Sequence, residues 1–251
     1  MDAKQVVFSY IDQHRDDIVA LLKQMVAYPT VNDGESEGNE LPMQEFFAEQ
    51  MRHARFDSVV MKAYDAEGKR PNVVATRKGR GGGRSLAFNG HSDVVPISYP
   101  DRWEFPPFSP EVKDGKLYGR GTSDMKGGLA AAYYALKALA DCGIALKGDV
   151  VLHSSVGEES QSAETIGAER AVKELYHTDF AIVCEPSNLE VQIASSALVF
   201  FNLIVQGKGV HVSAVNQMRF PQPGGLLSGN EIAVDAFRKS LPFVAYFNRL
   251  E

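Results

Sequence analysis

YGRGTSDMKGGLAA, residues 118–131, sets a single carboxylate, Asp124, between Gly119 and Gly121 on one side and Gly127 and Gly128 on the other. Glycine costs backbone entropy, so such a cluster marks a sharp turn or a close backbone approach rather than a neutral linker. The residues that follow are rich in Ala and Leu and are closed by Cys142 and Gly143, which predicts a helix over 125–141. Asp124 therefore stands on a tight turn that opens a helix.

Outward from this turn, strands and helices alternate. Apolar residues at helical spacing (Val7, Ile11, Ile18, Leu21, Leu22, Met25) predict one helix over 6–25, stopped by Tyr28-Pro29-Thr30. DGESEGNE (33–40) is a polar loop, and 41–55 predicts a second amphipathic helix. DSVVM (57–61), NVVAT (72–76) and SLAFNG (85–90) have the texture of short strands, as do DVVLHSSVG (149–157) and FAIVCE (180–185), with a polar helix over 163–175 between the last two. RKGRGGGR (77–84) is expected to be a solvated hairpin loop. The pattern predicts an α/β fold, a buried mixed or parallel sheet covered by helices.

After Ser187 the texture changes. VQIASSALVFFNLIVQGKGVHVS (191–213) is β-rich without an intervening helix, Pro221, Pro223, Gly224 and Gly225 form a breaker, and a last helix is expected over 229–251. The shift predicts a domain boundary near 195, with one domain over 1–195 and a second over 196–251.

Composition narrows the function classes. With 44% apolar and 23% charged residues in 251, the chain is an ordinary globular sequence. A net charge of −6 and a pI near 5.6 argue against a general nucleic-acid binder. The longest apolar run, SALVFFNLIV (196–205), is too short to span a bilayer, and the N-terminal residues lack the apolar core of a signal peptide. Cys142 and Cys184 make no disulfide framework. A cytoplasmic setting is expected, with neither nucleic acid nor membrane as partner. GRGGGR lacks the spacing of a dinucleotide or phosphate loop, so a nucleotide-binding reading is weak.

In open α/β sheets, ligands bind beyond the carboxyl ends of strands. LAFNGHSDVVP (86–96) carries His91 and Asp93 at such an end, VVLHSSVGEES (150–160) carries Glu158 and Glu159, and AIVCEPS (181–187) carries Glu185; the glycine turn adds Asp124. Singly, each has a plainer explanation: a structural histidine, a solvated pair before a helix, a Glu-Pro turn. Together, one imidazole and several carboxylates suit zinc, and less selectively cobalt or manganese. Asp93 suits support of the imidazole, its carboxylate accepting from the free ring N–H, and the paired glutamates suit a division of labour between metal ligand and proton acceptor.

NGHSDVVP (89–96), Trp103 with PFSPEVKDGKLYGRGTSDMKGG (107–128), GEES (157–160) and EPSN (185–188), in that order, resemble the M20 family of dinuclear zinc amidohydrolases and exopeptidases. The group includes acetylornithine deacetylase, succinyl-diaminopimelate desuccinylase, aminoacylase and carboxypeptidase G. The resemblance implies a zinc-exopeptidase-like mixed sheet flanked by helices, followed by the start of a small α+β lid and dimerisation domain. It implies His91 and Glu185 on one zinc, Glu159 on the other, Asp124 bridging both, Glu158 as general base and Asp93 supporting His91. It also implies a cis Asp124–Met125 peptide. GKGVHVS (207–213) resembles the start of the lid, so that His211 would stabilise the oxyanion in the partner of a homodimer.

The implied activity is hydrolysis of an amide in an N-acyl amino acid or short peptide by a metal-activated water. Members of the family are longer and take a last histidine on the zinc that Glu159 binds. Here the histidines are 14, 53, 91, 153, 177 and 211, and neither His153 nor His177 is placed to substitute. The second metal is thus expected to be one ligand short. The alternative expectation is a truncated, catalytically incomplete fragment that binds metal or a partner at most.

Overall fold

The structure, a computed structural model, describes residues 2–32, 38–160, 162, 164–194, 203–209, 236–247 and 249. The N-terminal segment forms two helices where one was expected, α1 (Ala3–Gln13) and α2 (Arg15–Val26). The break falls at His14, whose φ of −111° and ψ of 22° leave the helical range. Both helices pack against the same later helix, α4 (Lys126–Asp141), so the apolar spacing runs through the break without betraying it.

After α3 (Leu41–His53) come the strands β1 (Ser58–Ala63), β2 (Pro71–Arg77) and β3 (Leu86–His91). A small hairpin, β4 (Glu111–Lys113) and β5 (Lys116–Tyr118), precedes α4. Then follow β6 (Val150–Ser155), α5 (Ala168–Leu175) and β7 (Phe180–Val183). The hairpin turn is Asp114-Gly115, with φ of 52° and 73°. Two positive φ angles in succession suit an Asp-Gly pair, a signal that the sequence carried and the strand assignment above passed over.

Five strands make the main sheet in the order β1-β2-β6-β3-β7. β1–β2 and β2–β6 are antiparallel, whereas β6–β3 and β3–β7 are parallel, with Phe88 beside both Leu152 and Ile182. RKGRGGGR is therefore no hairpin loop. It joins β2 to β3 across the end of β6, and its Arg80 and Gly81 N–H groups donate to Leu146 and Lys147 carbonyls at 2.9 Å.

Side chains alternate across the sheet and so decide which helix lies on which face. Val73, Ala75, Val150 and Leu152 pack among Met25, Phe47, Met51 and Leu129 of α2, α3 and α4. Val74, Ala87 and Val151 point the other way, against Leu175 and Tyr176 at the end of α5. β6 is buried along its whole length, the polar His153, Ser154 and Ser155 as well as the apolar Val150, Val151 and Leu152, but β7 is exposed at all four residues. Its apolar run is the same texture at the edge of the described sheet.

The polypeptide divides into two units, Met1–Val191 and Gln192–Glu251. In the second, the expected helix over 229–251 is described as α6 (Ala236–Phe247), where Phe237, Leu241, Phe243 and Val244 are exposed. Most of the β-rich segment expected over 191–213 lies outside the described residues, and its described parts, 191–194 and 203–209, form no named strand. Among the described residues no helix is long and apolar enough to cross a membrane.

On the α5 face a polar row crosses the sheet. His153 on β6 lies between Asn72 and Asn89: Nε2 is 3.1 Å from Asn72 Oδ1, and Nδ1 is 2.9 Å from Asn89 Nδ2 and 3.0 Å from the Tyr176 hydroxyl. These partners fit a neutral ring that donates from Nε2 and accepts at Nδ1. Burial pushes its pKa down to about 3. A depressed histidine contributes stability that is present above its unfolded pKa, near 6.5, and is lost as pH falls towards 3. Unfolding free energies measured between pH 6.5 and 4 should therefore fall less steeply in His153→Gln, by up to about 1.4 kcal/mol per pH unit. Equal slopes in variant and parent would contradict a buried neutral His153.

Candidate metal centre

Because β3, β6 and β7 run parallel, their carboxyl ends share one edge of the sheet. β3 ends on His91, the chain leaving β6 carries Glu158 and Glu159, and the chain leaving β7 carries Glu185. α4 begins two residues past Asp124. The structure brings these groups together around one imidazole nitrogen. His91 Nε2 lies 3.0 Å from Asp124 Oδ1, 3.6 Å from Glu185 Oε1 and 3.9 Å from Glu158 Oε2. One ligand atom from each of His91, Asp124 and Glu159 falls within 4.8 Å of the others. His211 lies outside the described residues.

His91 is buried, and its Nδ1 lies 2.9 Å from the main-chain carbonyl of Asp93, whereas the Asp93 carboxylate stands at 3.7 Å. The carbonyl, not the carboxylate, is thus the nearer acceptor for the ring N–H. The carboxylate is engaged elsewhere: Oδ1 accepts from the N–H of Glu158 (3.3 Å), and Oδ2 from the N–H of Glu159 (3.1 Å) and from Asn32 Nδ2 (3.0 Å). Asp93 therefore joins His91 to the turn that carries both glutamates. Proton donation from Nδ1 leaves a lone pair on Nε2, aimed at the oxygens of Asp124 and its neighbours.

A lone pair facing carboxylates needs a cation, either a proton or a metal ion, between them. Burial would lower the His91 pKa, but the carboxylates of Asp93, Glu185 and Glu158 outweigh it and raise the ring above its ordinary value. Burial, then the nearby charges of Asp124 and Glu158, push Glu185 up to about 7 against the pull of His91. Burial and Asp124 likewise raise Glu159. Among the described residues no Lys or Arg forms an ion pair with Asp124, Glu158, Glu159 or Glu185. An imidazole nitrogen and oxygens from several carboxylates are the donor set of a divalent cation, so the residues present fit the metal that the fold family implies.

The glycines beside Asp124 serve close approach. The Asp124–Met125 peptide is cis, and α4 starts directly after it. A methyl group on Gly128 would lie 2.2 Å from the Cys184 carbonyl oxygen and 2.8 Å from Cys184 Cβ. Gly128 thus lets the first turn of α4 touch the end of β7, one residue before Glu185, and so sets how near Asp124 and Glu185 come. Gly127 is pressed in the same way against Thr122, at 2.3 Å.

Three polar features around the site escaped the sequence reading. Asn32 holds Asp93; Lys126 is fully buried, with Nζ on the Met25 and Tyr28 carbonyls; and Arg70 forms a bidentate pair with buried Glu40, at 2.9 Å from Nε and 2.7 Å from Nη2. Only Lys126 had a local signal, a charged residue at the start of an apolar helix.

Gly128→Ala should lower the unfolding free energy by about 1–3 kcal/mol, because a backbone carbonyl has to yield to the new methyl group. Urea melts would show it. A variant as stable as its parent would contradict the close packing of α4 on β7.

Residues 87–248 match the family model described as peptidase family M20/M25/M40. Similar curated proteins include N-formyl-4-amino-5-aminomethyl-2-methylpyrimidine deformylase of Bacillus subtilis, 34% identical over 184 residues, covering 72% of this chain and 41% of that protein. A probable succinyl-diaminopimelate desuccinylase of Staphylococcus epidermidis is 34% identical over 199 residues, covering 78% of this chain and 46% of that protein. The chain therefore spans less than half the length of these two relatives. Among solved structures, human carnosine dipeptidase 1 superposes with a TM-score of 0.60 at 25% identity, over 71% of this chain and 40% of that one. The yeast dipeptidase Dug1p from Saccharomyces cerevisiae has the same fold, with a TM-score of 0.59 at 20% identity over 68% and 38% of the two chains. With the family match taking in well over half of its residues, and the ligand-bearing strand ends inside the matched span, the chain belongs to peptidase family M20/M25/M40.

Proposed function

We propose that this chain supplies the metal-binding strand ends of a hydrolase that cleaves an amide bond in an N-acyl amino acid, of the deacetylase or desuccinylase type, or in a short peptide. The observation that carries the proposal is the buried His91 imidazole with Nε2 turned to Asp124, Glu158 and Glu185. His91 and Glu185 would hold one ion, Glu159 a second, and Asp124 would bridge them. Zinc is the ion proposed, and cobalt or manganese suits the same donors. Such ions supply Lewis acidity, polarising a carbonyl and bringing the pKa of water down to about 7.

Glu158 is the proton acceptor in this reading. Its side chain is half-exposed at the mouth of the site, and its N–H is fixed on Asp93, so its carboxylate is free to take a proton from water and deliver it to the departing amine. Asp93 orients His91 through its carbonyl and the two glutamates through its carboxylate. Residues 1–195 would form the N-terminal part of the catalytic domain and 196–251 part of a lid. His211 of that lid would steady the oxyanion in a homodimer. A cytoplasmic setting belongs to the same proposal, supported by two free cysteines rather than a disulfide framework.

A second reading, a metal-binding module without turnover, is favoured by one observation. Assigned in this way, the second ion receives Asp124 and Glu159 among the described residues, fewer than the three protein ligands usual for catalytic zinc. Assays of the 251-residue chain with zinc, cobalt and manganese against N-acyl amino acids and dipeptides separate the two. Amide hydrolysis that falls by about 10²-fold or more in Glu158→Gln, with metal content unchanged, supports the enzyme. Unchanged turnover in Glu158→Gln would refute the assignment of the base, and stoichiometric metal without turnover in the parent would favour the module.

A further inference from the structure

Lys126 is a buried lysine to which hydrolysis assigns no task. It is the first residue of α4, two residues past Asp124, and none of it reaches solvent. Lysine is almost never fully buried unless its ammonium is paired. Here Nζ donates to the Met25 carbonyl at 3.0 Å and to the Tyr28 carbonyl at 2.9 Å. Met25 stands in the last turn of α2, where the helix dipole favours a positive charge, and Tyr28 lies two residues past its end.

From Tyr28 a short strap leads back to the metal centre. Thr30 Oγ1 donates to the Ser92 carbonyl at 2.6 Å, and the Thr30 carbonyl accepts from the Val94 N–H at 2.9 Å. The Asn32 N–H donates to the Val94 carbonyl at 2.8 Å, and Asn32 Nδ2 to the Asp93 carboxylate at 3.0 Å. Residues 25–32 are thus gripped at one end by the residue that follows the Asp124 turn, and at the other by Asp93. None of them is among the groups gathered at His91.

We propose that Lys126 is a positioning residue which, through the strap 25–32, couples the Asp124 turn to Asp93, so that both sides of the metal centre are set as one unit. This rests on the reading of His91, Asp124 and the glutamates as a divalent-cation site. A lysine that merely filled the core could be replaced by methionine, whose length is similar, with no effect at a site its side chain does not touch. A coupling lysine could not.

The test titrates Co²⁺ into the 251-residue chain and into Lys126→Met, Asn32→Ala and the double variant, reading affinity by calorimetry and ligand geometry by the visible Co²⁺ spectrum. Each single variant should bind Co²⁺ about 10-fold more weakly with an altered spectrum, as loss of an outer support does. The double variant should bind no more weakly than the worse single one, the signature of a shared pathway. An affinity for Lys126→Met within about 2-fold of the parent, or a double variant whose loss is the product of the two singles, would overturn the coupling. Should Lys126→Met fail to fold, amide exchange in the unaltered chain decides: Co²⁺ should slow exchange at Thr30 and Asn32, and unchanged rates would overturn it. Failure of the unaltered chain to bind Co²⁺ would instead overturn the metal reading itself, and the coupling with it.

Discussion

The Asp93 carboxylate is a fully buried acid whose oxygens accept three N–H donors: the main chain of Glu158, the main chain of Glu159 and the side chain of Asn32. A buried carboxylate without such partners costs several kcal/mol, so its surroundings are under strong demand to supply them. That demand fixes the turn after β6 against the segment after β3. The same residue offers its main-chain carbonyl to His91 Nδ1, which sets the face that the ring turns to the carboxylates. Remove the three donors and neither the glutamates nor the imidazole keep their places relative to one another. The parallel order of β3, β6 and β7 brings the pieces to one edge, and Asp93 joins two of those ends into a site.

How the helices meet the sheet finishes the geometry. α4 approaches the end of β7 closely enough that only glycine fits at Gly128, which draws the Asp124 turn towards Glu185. The result is a concentration of acidic oxygens with a single histidine and no paired Lys or Arg among the described residues. In water such a cluster would disperse. Held on rigid strand ends and half-buried, it raises the proton affinity of its members and is suited to a divalent cation.

Much of this was legible in the sequence, for a physical reason. Apolar runs that end abruptly in His, Asp or Glu mark strands whose carboxyl ends carry chemistry, and His91, Glu158, Glu159 and Glu185 all stand at such ends. The glycines around Asp124 likewise announced a close approach before its partner was known. What stayed hidden was tertiary. Lys126 and Asn32 find their partners 101 and 61 residues away, and no local pattern encodes that. The break at His14 was masked because α1 and α2 lean on the same helix, and the crossing of RKGRGGGR over β6 follows from strand order, which composition does not specify. Asp93 was legible as a support of His91, but its division between carbonyl and carboxylate depends on backbone geometry alone.

A single cation site formed by the Nε2 of His91 and the carboxylates around it is open to direct test. The most direct measurement is anomalous X-ray scattering from crystals of the 251-residue chain grown with zinc, recorded on both sides of the zinc absorption edge. The expected result is a zinc peak lying between His91 Nε2 and Asp124, with Glu185 or Glu159 completing it. Zinc peaks confined to other parts of the molecule, with the His91 Nε2 to Asp124 contact unchanged, would contradict it.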